Sequence, residues 1–291
     1  MLLQFLINGM ISGGLIAIMA IGFWFVYRAV NLFHIAHGAI YTASAYGFYS
    51  LYMTRGMSLP LAVIISLGIS AVLGLCTYFL AYQPLERCHA SDGVKFISSL
   101  AIYILVVNLI AMVYGNETKI LSEGTGDSIS FGEIILTPIQ GWQFCSFLGL
   151  FFFSYVVVHW IKAGRIIRAI GDNPALFKAI GLSEKWAKGM AFAIGSAFAA
   201  CASILSGLDV GIDPQMGMLV LLNSVVAVII GGVKRLEGVV FGGLLIGVIQ
   251  NLVVWRFSAR WESAVTFLVL MSVLLYKSGG LFMIKRRVEE L

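Results

Sequence analysis

Residues 142–162 read WQFCSFLGLFFFSYVVVHWIK, and residues 163–188 read AGRIIRAIGDNPALFKAIGLSEKWAK. The first run has the length of a bilayer crossing, which takes about 20 mostly apolar residues. From 162 to 188 the chain then carries Lys162, Arg165, Arg168, Lys178, Lys185 and Lys188, against Asp172 and Glu184. An apolar run that gives way to a basic connection reads as a membrane span followed by a cytoplasmic loop. Working outward in both directions, similar apolar runs recur at 5–27, 33–53, 60–82, 94–115, 188–208, 216–233, 237–256 and 261–277. The expected fold is an all-α, polytopic transmembrane bundle of about eight or nine spans. The run at 33–53 opens with two histidines and that at 216–233 is short, so their ends are the least defined.

Composition agrees with this. Of 291 residues, 60% are hydrophobic and 11% charged, with a mean hydropathy of +0.96. A soluble domain carries about 25% charged residues. A bilayer can act as solvent for the excess apolar surface. Residues 1–291 read as a single transmembrane domain with a cytoplasmic loop at 163–187. The net charge of +5 forms no basic stripe with interleaved aromatics, so nucleic acid is not an expected partner. The lipid bilayer is. Cys76, Cys88, Cys145 and Cys201 show no C-x-x-C or Cys/His ligand spacing. No disulfide and no metal is expected, and Cys76, Cys145 and Cys201 are read as small apolar packing residues. The opening Met1-Leu2-Leu3-Gln4-Phe5 lacks a basic n-region, so the first apolar run is expected to be retained.

The basic clusters set an orientation. Loop 163–187, Lys234 with Arg235, Arg87 with Lys95, and a tail holding Lys285, Arg286 and Arg287 are expected on the cytoplasmic side. Loop 116–141, with Glu117, Glu123, Asp127 and Glu133 against Lys119, is expected outside. Arg55, Arg256 and Arg260 then fall outside, against the trend. Small residues recur every fourth position at Gly195-Ala199-Ser203-Gly207, Gly238-Gly242, Gly243-Gly247 and Gly9-Gly13. Such ladders let helices approach closely in lipid, within one bundle or against a partner permease.

Within the basic loop, Asn173 can cap a helix and Pro174 suits its first turn. Gly181 can end it in a left-handed conformation, and Ser183 can cap the helix that follows. A helix over about 174–180 is only about 10 Å long. Its apolar stripe is Ala175, Leu176, Ala179 and Ile180. A helix this short needs something to dock against. Both a protein groove and a lipid surface satisfy that need.

The run Gly164-Arg165-x-x-Arg168-Ala169…Asn173…Ala179-x-Gly181-Leu182, followed by Ala191-Phe192…Gly195…Ala199-Ala200…Gly207, resembles the branched-chain amino-acid/urea permease family of ATP-binding cassette importers. The likeness is strongest to the H-type subunit and runs over nearly the whole chain. Asn8-Gly9…Gly14-Leu15…Ala17, Ile35-Ala36-His37-Gly38, Ile212-Asp213-Pro214 and Gly231-Gly232…Gly238…Gly242-Gly243…Gly247 resemble further family elements in order. The resemblance implies that 172–182 is the coupling helix that docks into an ATPase subunit. Arg165, Arg168, Asn173, Pro174, Ala175, Leu176, Ala179 and Gly181 are then coupling residues. It also implies a second permease subunit (a paralogue or an identical copy), two ATPase subunits and an extracytoplasmic binding protein. ATP is expected on partner subunits, and this chain has no G-x-x-x-x-G-K-[ST] loop. The solute is a small polar one, with branched-chain amino acids, urea or an amide implied. Two departures are His34, where the family has Asn, and Ala39, where an acidic residue often follows His-Gly.

Polar groups within spans often mark a pathway. The candidates are His34, His37, Gly38, Asn108 and Asn223. His34 and His37 lie one helical turn apart, where a broken helix would bring a polar end to the path. The plainer readings are a histidine satisfied by a carbonyl, and asparagines bonding between helices. His159 is expected at an interface. The alternative function is a stand-alone channel or secondary transporter, which would need no coupling helix. The near absence of charge within spans argues against a proton-coupled carrier. An intramembrane enzyme ranks last, since no nucleophile–base pair appears.

Overall fold

A computed structural model describes residues 1–121, 128–131, 134–179 and 181–276. The expectations for Glu123, Asp127, Glu133, Ile180, Lys285, Arg286 and Arg287 fall outside these residues. Helix α1 (Leu2–Val30) is followed by α2 (Ala36–Tyr49), which runs on through a π turn at Ser50–Thr54. Helix α3 (Leu59–Cys76) continues through Thr77–Tyr82 into α4 (Gln83–Arg87), and α5 is Asp92–Tyr114. A small hairpin of β1 (Ile129–Phe131) and β2 (Ile134–Leu136) precedes α6 (Pro138–Trp160). Then come α7 (Lys162–Asp172), α8 (Pro174–Ala179), α9 (Glu184–Val210), α10 (Met216–Gly231), α11 (Leu236–Arg256) and α12 (Glu262–Tyr276). Among the described residues, seven helical runs are long and apolar enough to cross a membrane, and α10 is a shorter apolar helix. With α2, each of the nine apolar runs in the sequence holds one helix. The two runs with ill-defined ends hold α2 and α10, of 14 and 16 residues.

Helix α1 is the axis of the bundle. Its 29 residues extend about 43 Å at 1.5 Å per residue. Ala17, Ile18, Met19, Ala20, Ile21 and Phe25 are fully buried. A helix apolar on all sides belongs at a bundle centre. It ends at Asn31, which takes a left-handed conformation (φ 50°) that asparagine tolerates.

The small-residue ladders pack this chain against itself. Gly22 of α1 crosses Gly195 of α9 so closely that a Cβ on either would lie 2.6 Å from the other's carbonyl oxygen. Helix α11 reaches α1 through Gly243 against Ala17 and Gly247 against Gly13, and it reaches α10 through Gly242 against Ala227. Gly207 abuts Ile212 and Leu121. These ladders are therefore internal seams, not a face for a partner. Of the three cysteines expected to pack as small apolar residues, Cys201 is partly buried, while Cys76 and Cys145 are exposed on the outer faces of their helices.

The helix ends collect on two sides. On one, Arg28 pairs with Asp172 at 2.7 Å, Lys188 with Glu86 at 2.8 Å, and Trp24 Nε1 donates to the Val233 carbonyl at 2.6 Å. On the other, Gln4 Nε2 donates to the Ile135 carbonyl at 2.9 Å, Gln143 Nε2 lies 3.2 Å from Asp209, and Lys119 bridges Ile212. The segment 162–188, Arg87 and Lys234–Arg235 sit on the first side, and the 116–121 segment on the second.

Candidate functional site

The basic side is built around α7 and α8. The expected cytoplasmic loop 163–187 is not irregular at its start, where Lys162–Asp172 forms the helix α7. Its buried residues are Gly164, Ile167 and Ile170, spaced three apart on one face. Gly164 lies against the Val157 carbonyl, where a Cβ has no room, so α7 folds back on α6. Gly171 lies against α1, and a Cβ there would come 2.5 Å from the Arg28 carbonyl oxygen. The Arg28 side chain is 7% exposed and reaches Asp172, which is 62% exposed. The pair ties the inner end of the central helix to the end of α7.

Helix α8 follows at once. Asn173 Oδ1 accepts the Leu176 N–H at 3.0 Å, which is the expected cap. Pro174 occupies the first position, and Gly181 has φ +77°, a conformation costly for other residues. Ser183 precedes α9 but makes no side-chain cap bond. The residue that anchors α8 is Phe177, 2% exposed and part of the main core. The predicted apolar stripe faces away from it. Leu176 is 58% exposed, and Ala175 and Ala179 are exposed as well. Lys178 pairs with Glu184 at 3.4 Å. Arg165 is exposed, and Arg168 lines a cleft with Lys234 and Arg235. The arrangement is a short helix fixed at both ends and along one face, with three small or apolar residues presented outward.

The second predicted cluster lies in the interior, where α2 begins. His34 and His37 are both fully buried. His34 Nδ1 lies 2.8 Å from the Tyr82 hydroxyl and 3.4 Å from Ser99 Oγ, which accepts the Ala36 N–H at 2.9 Å. Neither ring nitrogen of His37 has a hydrogen-bond partner among the described residues. The His37 ring packs edge-on to Phe23 at 6.2 Å and lies beside Gly22. Gly38 does not leave backbone open here. A Cβ on it would meet the Gly217 carbonyl at 2.8 Å, so it is the contact between α2 and α10. Asn223 is buried on α10. Asn108 is not brought to this cluster. It is exposed on α5, and its Nδ2 donates to its own helix at the Ile104 carbonyl (2.7 Å), not across to another helix. His159 is half-buried at the end of α6 and stacks on Tyr155.

A family model described as "Branched-chain amino acid transport system / permease component" matches residues 5–274. The chain belongs to this family. The permease is 27% identical to the high-affinity branched-chain amino acid transport system permease protein BraD of Pseudomonas aeruginosa, over 96% of this chain and 95% of that one. It is 24% identical to the corresponding protein LivH of Escherichia coli K12, over 96% and 94%. Among solved structures it is similar to PsaBC from Streptococcus pneumoniae in complex with Fab, with 13% identity and a TM-score of 0.50, over 92% of this chain and 91% of that one. That likeness is one of fold.

Sequence reading of the permease missed Arg28, Phe177 and the Glu86–Lys188 pair. Arg28 did carry a signal, as the one charge in an otherwise apolar 29-residue helix. Phe177 carried none, because a six-residue helix shows no periodicity from which to choose its buried face.

Proposed function

We propose that this chain is the membrane-spanning permease subunit of an ATP-binding cassette importer of the cytoplasmic membrane, moving branched-chain amino acids inward. The observation that carries the reading is α8: capped by Asn173, ended at Gly181, held by Phe177, and exposing Ala175, Leu176 and Ala179. A stripe this small anchors poorly in lipid but fills a groove on a protein. The partner with that groove is an ATPase subunit, one of two, which binds and hydrolyses the ATP. Arg165, Arg168 and Lys185 border the docking surface and suit carboxylates on the ATPase. Closure of the ATPase pair pushes α8, and the Arg28–Asp172 and Lys188–Glu86 pairs pass the displacement to α1 and α4. A second permease subunit completes the pathway, and a binding protein delivers solute at the opposite side. The chain itself does no bond chemistry. His34 and His37 are the intramembrane polar groups placed to sense opening of the interior.

The test is reconstitution with the ATPase subunits, a second permease and the binding protein in proteoliposomes. L-leucine uptake should require hydrolysable ATP on the ATPase side. Equal uptake without nucleotide would instead make the protein a channel or secondary carrier.

A further inference from the structure

The basic side carries a cleft to which α8 contributes no residue. It holds about 380 Å³ and is walled by α1, α6, α7 and the start of α11. Three cations converge on it: Arg168 of α7, and Lys234 and Arg235 from the turn before α11. None of the three forms an ion pair among the described residues. One carboxylate, Glu237, also borders the cleft, so its balance stays positive. Trp24 closes the inner wall, buried and with its Nε1 committed to the Val233 carbonyl.

The first turn of α11 lies along the same cleft. Arg235 precedes that helix without giving it a side-chain cap, and the amides of Leu236, Glu237 and Gly238 have no acceptor among the described residues. Free amides beside three cations suit a phosphate oxyanion.

The surroundings are those of a membrane boundary. Trp160, the last residue of α6, is exposed, as aromatic residues are at headgroup level. One turn deeper, the Tyr155 ring stacks under His159 with centroids 4.2 Å apart. On α11, Phe241 stands four residues past Glu237, on the same face. Tyr155 and Phe241 are both exposed. The cationic cleft therefore opens onto aromatic surface that runs toward the bilayer centre. A soluble anion makes no use of that continuation, whereas a lipid carries both a phosphate and acyl chains.

We propose that this cleft binds an anionic phospholipid of the cytoplasmic leaflet, with its phosphate on Arg168, Lys234 and Arg235 and its acyl chains along Tyr155 and Phe241. Glu237 at the rim suits a headgroup with hydroxyl donors, such as glycerol. A zwitterionic headgroup brings its own cation to a site that already has three. The bound lipid joins α7, which leads into α8, to the start of α11.

The experiment uses the purified full-length permease in detergent, without the ATPase. Native mass spectrometry reads the retention of phosphatidylglycerol against phosphatidylcholine of the same chains. Thermal stabilisation is read in parallel with each lipid and with inorganic phosphate. The wild type should retain phosphatidylglycerol about tenfold better than phosphatidylcholine. Lys234→Gln with Arg235→Gln should bring that preference within about threefold of unity, and Arg235→Lys should preserve it. Lys162→Gln removes an exposed cation from the same side but outside the cleft, and should leave the preference unchanged. The exposed positions of Lys234 and Arg235 keep these variants folded. Equal retention of the two lipids by the wild type would overturn the proposal. So would equal effects of Lys162→Gln and Lys234→Gln, which would mean diffuse surface charge. Stabilisation by inorganic phosphate equal to that by phosphatidylglycerol would make the cleft a site for a soluble anion and reject the lipid. An unchanged lipid preference in the double variant, with loss of ATPase co-purification, would assign the cleft to the ATPase instead.

Discussion

Three residues carry unequal weight in the coupling account, for reasons of burial. Removing a carboxylate from a half-buried pair matters most when it strands the buried partner. Arg28 is the buried member and Asp172 the exposed one. Asp172→Asn should therefore lower the melting temperature of the purified permease more than Arg28→Met, which leaves behind only a solvated carboxylate. The reverse order would remove the pair from the account. Phe177 is the only fully buried side chain of α8 among the described residues. Phe177→Ala deletes a buried ring, a change worth about 3–5 kcal/mol in a packed core. Because α8 is short, the loss should show as release of the ATPase rather than as global unfolding. His37 was legible as a polar group within a span, but its surroundings were not. A hydrophobic neighbour such as Phe23 becomes visible only once α1 and α2 are placed together. His37→Leu should cut L-leucine uptake more than it cuts protein abundance. Normal uptake at normal abundance would leave His37 as packing.

The helices were legible to the extent that lipid dictates them. A span must bury its backbone in about 20 apolar residues, so nine apolar runs read as nine helices. The true ends do not follow the runs, because caps and turns set them: α2 (Ala36–Tyr49) lies inside the expected 33–53. Helix α1 runs from Leu2 to Val30, beyond the expected 5–27. Helix α7 was lost for the opposite reason. Its Lys162, Arg165 and Arg168 drew the reading to loop, while Gly164, Ile167 and Ile170 formed the buried face. The glycine ladders read correctly as close helix contacts, and only the structure says which helices meet. Gly195→Leu should abolish a monodisperse size-exclusion peak, since its Cβ would meet the Gly22 carbonyl at 2.6 Å. Gly149, with nothing within 4 Å, should accept leucine with the peak intact. A normal Gly195→Leu peak would mean that α1 and α9 can separate without loss of the fold.

At the scale of the whole molecule, the basic side and the opposite side must face different compartments. The positive-inside rule assigns α7 and α8 to the cytoplasm. In a background lacking the four native cysteines, a membrane-impermeant maleimide added to whole cells should label Glu117→Cys and spare Lys178→Cys. The reverse labelling would invert the orientation and remove the ATPase from reach of α8. The overall signature of the permease was legible in the order of its motifs, but the solute was not. Recognition of a solute depends on which side chains the packed helices bring together, and no motif in the sequence spells that out. The central claim is that α8 is the docking element, and Ala179 tests it most directly. Ala179 is exposed on the free stripe, so Ala179→Asp leaves the permease fold intact. At a docked surface the same carboxylate would be buried without a partner, at a cost of several kcal/mol. Co-purification of the ATPase with the Ala179→Asp permease, followed by L-leucine uptake in proteoliposomes, is the measurement. The account predicts loss of the ATPase from the complex and loss of ATP-driven uptake, with the permease itself monodisperse. Retention of the ATPase together with wild-type uptake would contradict it.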